Sequence, residues 1–171
     1  MIKNINQHFF LALMKVGQRV PNFSAVSHTG DVCSMSDFLD EGKMLVLYFY
    51  PKDSTPGCTR EACDFRDSWP KLSPYCNVLG VSKDNGVSHQ KFVDKYNLPF
   101  VLISDTDGVL CDLFSVINDK SMYGKVFKGI ERSTFLIRAD GVLVNEWRKV
   151  KVNGHVDEVL EAIKAMYDGN G

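Results

Sequence analysis

The run Met44-Leu45-Val46-Leu47-Tyr48-Phe49-Tyr50 constrains this chain more than any other segment. It is apolar throughout and rich in aromatics, which describes a strand buried on both faces. Pro51 ends or edges that strand, because it has no N–H to donate to a neighbour. Helix-start chemistry follows at once: Thr55 suits the N-cap, Pro56 the first helical position, and Glu61 the positive end of the helix dipole. Cys58 then falls in the first helical turn. A thiol there faces unpaired backbone N–H groups and a partial positive charge, both of which favour thiolate over thiol. The competing reading of any single cysteine is a small buried hydrophobe, and here the surroundings favour a nucleophile.

The spacing Pro51, Thr55, Cys58 resembles the P-x-x-x-T-x-x-C signature of peroxiredoxins. Tyr48-Phe49-Tyr50-Pro51-Lys52-Asp53, Thr55-Pro56-Gly57-Cys58-Thr59 and Glu61-Ala62-Cys63 resemble its bacterioferritin comigratory protein, or peroxiredoxin Q, subgroup. The resemblance runs from about Val16 to the final helix. Ser54 and Arg60 stand where members of that subgroup often carry asparagine and threonine. The resemblance implies a thiol-dependent peroxidase for hydrogen peroxide and organic hydroperoxides. Cys58 would be the peroxidatic nucleophile, Cys63 the resolving cysteine, and Arg132, at the mouth of the strand Ser133–Ile137, the guanidinium beside the sulfur. Glu61 would orient that arginine.

These roles meet a physical need. Attack on a peroxide oxygen expels the other oxygen with negative charge, so donors must be waiting for it. The N–H groups of Gly57 and Cys58 and the Arg132 guanidinium are candidates, each worth about 3 to 4 kcal/mol by analogy with oxyanion holes. The Thr55 hydroxyl can hold the peroxide in line, and Pro51 offers a rigid apolar wall against water. Resolution by Cys63 raises a geometric problem. Five residues along a regular helix separate two Cα atoms by roughly 8 to 9 Å, whereas a disulfide needs about 4.4 to 6.8 Å. A Cys58–Cys63 bond therefore requires the first turns of that helix to unwind. Cys33, Cys76 and Cys111 are the other candidates for resolution and read as core filler; no cysteine follows Cys111.

Strands and helices alternate along the rest of the chain. Val20–Ser27 and Val32–Met35 read as an N-terminal hairpin around Thr29-Gly30-Asp31, followed by a helical turn over 36–39. A helix is expected from Pro56 to about Leu72, a strand over Cys76–Ser82, a helix over Val87–Tyr96, a strand over Phe100–Ser104 and a short helix over Val109–Phe114. Ser133–Ile137 and Val142–Trp147 flank Asp140-Gly141 as a hairpin, and Val156–Tyr167 closes the chain as an amphipathic helix. With the family resemblance, this order implies an α/β thioredoxin-like sandwich: a central mixed β-sheet flanked by helices, with an N-terminal β-hairpin.

At 171 residues and 44% hydrophobic content the chain suits one domain, expected over residues 14–171. Residues 1–13 read as an N-terminal extension or a short packing helix; their apolar run is too short for a signal-peptide core. A net charge of −1 offers nothing to nucleic acid or an anionic membrane. Five cysteines in irregular spacing argue against a secreted disulfide framework and for a reducing, cytoplasmic compartment. No metal or cofactor is expected, since Cys58 and Cys63 lack a second ligand pair. The expected partners are a hydroperoxide substrate and a thioredoxin-type reductant, with the protein a monomer as the subgroup often is. A disulfide oxidoreductase is disfavoured by the lack of a C-x-x-C, and a noncatalytic redox sensor or holdase is the reading from another class. A cysteine protease would need a histidine beside Cys58, and nothing in the sequence positions His8, His28, His89 or His155 there.

Overall fold

A computed structural model describes residues 14–39 and 42–169, so the expected extension over 1–13 lies outside the described residues. The N-terminal hairpin is β1 (Ser24–Val26) with β2 (Val32–Ser34), followed by a 3-10 turn over Met35–Phe38. It is shorter than the hydrophobic pattern implies. The central elements are β3 (Met44–Phe49), α1 (Pro56–Asp67), α2 (Trp69–Leu72), β4 (Cys76–Ser82), α3 (Gly86–Tyr96), β5 (Val101–Ser104) and α4 (Val109–Leu113). A second hairpin, β6 (Ile117–Met122) with β7 (Lys125–Ile130), precedes β8 (Ser133–Ile137), β9 (Leu143–Trp147) and α5 (His155–Asp168).

One five-stranded mixed sheet, in the order β5-β4-β3-β8-β9, carries the core. β3 lies at its centre, parallel to β4 and antiparallel to β8. Alternate β3 side chains point to opposite faces. Val46, Tyr48 and Tyr50 pack with α1 and α5 residues such as Phe65, Val159 and Ile163. Leu45, Leu47 and Phe49 pack with Leu110, Phe114 and the N-terminal segment on the other side. Helices or loops thus cover both faces, which is why no polar residue interrupts the strand and why the expected thioredoxin-like sandwich is the one found.

Two expectations need correction. The helix expected from Pro56 to Leu72 is two helices that break at Ser68, where Pro70, lacking an N–H, enters the first turn of the second. The β6–β7 hairpin had no counterpart in the sequence reading. Its strands are mostly exposed and carry Asp119, Lys120, Lys125 and Lys128, and its turn uses Tyr123 and Gly124, both with positive φ (52° and 76°) as a mirror-image two-residue turn requires. An Asn-Gly pair would have signalled it; Tyr-Gly does not.

Candidate active site

The end of β3 and the start of α1 build the site. Tyr50 N–H continues the sheet by donating to the Val81 carbonyl at 3.0 Å, after which the chain turns through Ser54, whose φ is 63°. Thr55 occupies the N-cap with φ −78° and ψ 153°, and Pro56 follows as the first helical residue. The Thr55 hydroxyl does not cap the helix as the sequence suggested; it donates instead to the Lys52 carbonyl at 2.8 Å, tying the loop to itself. The first intrahelical bond is Thr59 N–H to the Thr55 carbonyl. The amides of Gly57 and Cys58, in the first turn, therefore have no helical acceptor and remain free for an incoming oxygen.

Cys58 is 1% exposed, packed against the core face of the sheet. Arg132 reaches it from the connection between β7 and β8, with Nη2 3.4 Å from the sulfur. Its other nitrogen, Nη1, donates to Glu61 Oε1 at 2.7 Å. The guanidinium is thus aimed by two partners from one helix, three residues apart and on one face. Gly57 makes room for it: a Cβ there would lie 3.2 Å from Arg132 Nη2.

Glu61 belongs one turn deeper than the sequence reading placed it. It is fully buried and compensates no dipole in the first turn, which holds no acidic residue. Burial pushes its carboxyl up to about 7, against the pull of Arg132. Burial also opposes the charge on Arg132, but Glu61 and the Cys58 sulfur outweigh it and hold that group above its usual range. Removing either member would leave the other buried and unpaired, the costly way to break such a pair. Among the described residues Glu61 Oε2 has no hydrogen-bond partner, so the carboxyl's one hydrogen bond is the one to Arg132 through Oε1.

The remaining expected residues fall into place around this centre. Pro51 is half-buried at the exit of β3. Cys63 lies half-buried in the same unbroken helix as Cys58, and both are free thiols, so the helical separation stands between them. Burial raises the Cys63 thiol and also that of Cys33, while Cys76 is pushed up to about 12. Cys111 is raised by burial and by Asp105. None of these last three is brought to Cys58 by any hydrogen bond.

Two features escaped the sequence reading. Lys120, on β6, lies over Gly129 and feels both Arg132 and Cys58; burial and Arg132 lower its pKa, while Cys58 and Glu131 pull the other way. No motif marked it, because the hairpin that carries it was not visible. The histidines also proved less idle than their spacing implied, though none among the described residues is hydrogen-bonded to Cys58. His89 is buried against Asp53, and His155 is buried against Thr134 at 2.7 Å with its pKa driven down to about 4 by burial and by Arg132. A separate cavity of about 720 Å³ opens between the β1–β2 turn and the start of α3, but none of the site residues lines it.

Comparison with known proteins shows the family. Residues 16–146 match the model of the AhpC/TSA family. The chain belongs to that family. Within it, the chain is 52% identical over 148 residues to a putative peroxiredoxin bcp of Coxiella burnetii, covering 86% of this chain and 97% of that one. It is 47% identical over 154 residues to peroxiredoxin Bcp of Bacillus subtilis, covering 90% and 97%. Among solved structures, the bacterioferritin comigratory protein of Xanthomonas campestris, studied for alkyl peroxide reduction, superposes with a TM-score of 0.80 at 44% identity, covering 91% of this chain and 98% of that one. A cysteine-to-serine mutant of Xylella fastidiosa PrxQ gives 0.83 at 40% identity, covering 91% and 99%. This peroxiredoxin of the Bcp/PrxQ branch is accordingly a peroxidase enzyme. Among the described residues no helix is long and apolar enough to cross a membrane.

Proposed function

We propose that the protein reduces hydrogen peroxide and organic hydroperoxides in two thiol steps, with Cys58 as nucleophile and Cys63 as resolver. In the first, the Cys58 sulfur, as thiolate, attacks one peroxide oxygen. The S–O bond forms as the O–O bond breaks, and the leaving oxygen departs as water or alcohol once it takes a proton. Arg132 and the free amides of Gly57 and Cys58 stabilise the charge on that oxygen, and the Thr55 hydroxyl orients the substrate. Pro51 and the core side of the sheet keep water from the sulfur.

In the second step the Cys63 sulfur attacks the Cys58 sulfenic acid, an S–S bond forms and water leaves. The helix must unwind for this to occur. A thioredoxin-type dithiol then reduces the disulfide and is itself oxidised. One chain carries every residue used, which supports a monomer, and free thiols that oxidise only in turnover suit the cytoplasm.

The observation that carries this reading is the Arg132 guanidinium bridging the Cys58 sulfur and Glu61. Stopped-flow oxidation of the reduced protein is expected to exceed that of a free thiol by orders of magnitude, and Cys58→Ser to abolish it. Disulfide mapping by mass after one equivalent of peroxide should find Cys58 joined to Cys63. Slow oxidation of the wild type would end the proposal, and an intramolecular disulfide in Cys63→Ser would remove Cys63 from it.

A further inference from the structure

Disulfide formation needs α1 to unwind between Cys58 and Cys63 while the sheet stays packed, so the moving segment must have fixed ends. The far end is visible in Phe65, fully buried and stacked on Tyr48 with ring centroids 4.6 Å apart. The near end is held by side chains outside α1. Asp53, in the loop ahead of α1, accepts from the Tyr50 hydroxyl at 2.6 Å through Oδ1. Its Oδ2 accepts from Ser88 at 2.8 Å and is 2.7 Å from His89 Nδ1. Both side chains of the Asp53–His89 pair are almost wholly buried, at 2% and 0% exposure.

The far side of the imidazole is fastened too, because His89 Nε2 lies 3.0 Å from the Ile103 carbonyl of β5. The two ring nitrogens thus face a carboxylate and a carbonyl, so both edges of the ring are held. Asp53 N–H in turn donates to Asp84 Oδ2 at 2.9 Å, which also accepts from the Ser82 hydroxyl at 2.6 Å. Burial acts against the Asp53 carboxylate, yet these donors hold its pKa below the ordinary value. Asp53, Asp84 and His89 do bring ligand atoms within 4.8 Å of one another. Both Asp53 oxygens and Asp84 Oδ2 are already engaged by protein donors, however, so the cluster reads as a bolt between the loop, α3 and β5 and not as a cation site.

We infer that the Asp53–His89 pair is a positioning device for the peroxidase reaction: it pins the chain ahead of α1, keeps Thr55 and Cys58 in register for peroxide, and sets Ser54 as the first residue free to move when the helix unwinds. The inference rests on the two-step reaction proposed above. Asp53 is anchored to elements that take no part in the unwinding, whereas Ser54, the next residue, is exposed and already turned to a positive φ. Loosening the bolt lets disorder spread upstream in the reduced protein, which slows attack on peroxide without slowing the meeting of the two sulfurs.

The test uses the full chain carrying Asp53→Asn, and Ser88→Ala as a milder loss of one donor should Asp53→Asn fold poorly. Reduced proteins are compared by hydrogen exchange resolved to peptides, by stopped-flow oxidation with hydrogen peroxide, and by the rate of disulfide formation from the sulfenic acid. Asp53→Asn should raise exchange over residues 51–60 alone and slow oxidation by about tenfold, the scale of losing a charge-assisted hydrogen bond, while disulfide formation keeps its rate or quickens. Ser88→Ala should move the same quantities in the same directions by less. Exchange that rises evenly over the whole chain, or oxidation and disulfide formation slowing together, would make the pair a mere core contact and overturn the inference. No change in either variant would overturn it as well. A wild type that oxidises at the rate of a free thiol would instead refute the underlying reaction.

Discussion

Gly57→Ala should separate stability from activity. The Cβ it adds would sit 3.2 Å from Arg132 Nη2 and 4.0 Å from Cζ. Non-bonded heavy atoms are comfortable at about 3.5 to 4.0 Å, so the guanidinium must retreat by a few tenths of an ångström. Nη2 already stands 3.4 Å from the Cys58 sulfur, and the hydrogen bond to Glu61 resists any pivot. The retreat therefore falls on the contact with sulfur. Losing a hydrogen bond to a charged group costs about 1.5 to 3 kcal/mol, or roughly 10- to 100-fold in the peroxide rate. Helix stability moves the other way, since alanine improves on glycine in a helix by about 0.5 to 1 kcal/mol. Stopped-flow oxidation and urea unfolding of the same preparation should thus show a slower, more stable enzyme. An unchanged rate would mean that the position of Arg132 over Gly57 is unimportant, and a parallel loss of rate and stability would mean that the variant damages the helix.

Other outcomes follow from single residues. His155 is held at about 4 where an ordinary histidine has 6.5, so the unfolded chain takes up a proton that the folded chain refuses. Stability is then complete above pH 6.5 and falls toward pH 4 by about 3 kcal/mol; the unfolding curve of His155→Gln should be flatter across that window, and parallel curves would refute the assignment. Ser54→Gly should raise the urea midpoint, worth about 0.5 to 1 kcal/mol, because glycine adopts the positive φ of 63° found there without a Cβ penalty. Gly80→Ala should cost about 1 to 3 kcal/mol in thermal or urea unfolding: its Cβ would fall 2.7 Å from Leu102 Cδ2 and 2.9 Å from Tyr48 Cζ, a ring held in the core stack.

The sequence was most legible where local chemistry and burial point the same way. β3 is apolar at every position because both faces are covered, and the Thr55-Pro56 start of α1 is readable because capping and proline preferences act within a few residues. Cys58 could be placed from that alone, and Arg132 through the family resemblance. Glu61 was assigned to the right partner but the wrong turn, since spacing does not tell which side of a helix faces the core. Lys120 and the Asp53–His89 pair were invisible for another reason. Each depends on contacts between segments far apart in sequence, 36 residues for Asp53 and His89, and no local pattern encodes such a meeting. The β6–β7 hairpin lacked both a hydrophobic stripe and a recognised turn pair, so nothing distinguished it from a polar loop.

The raised thiol of Cys63 carries a consequence for timing. While its helix is wound, burial raises this thiol above its ordinary range and so disfavours the attacking thiolate. The unwinding proposed above would expose it to water and remove that penalty in the same motion that closes the distance to Cys58. In the proposed reaction, reach and reactivity of the Cys63 sulfur would thus arrive together.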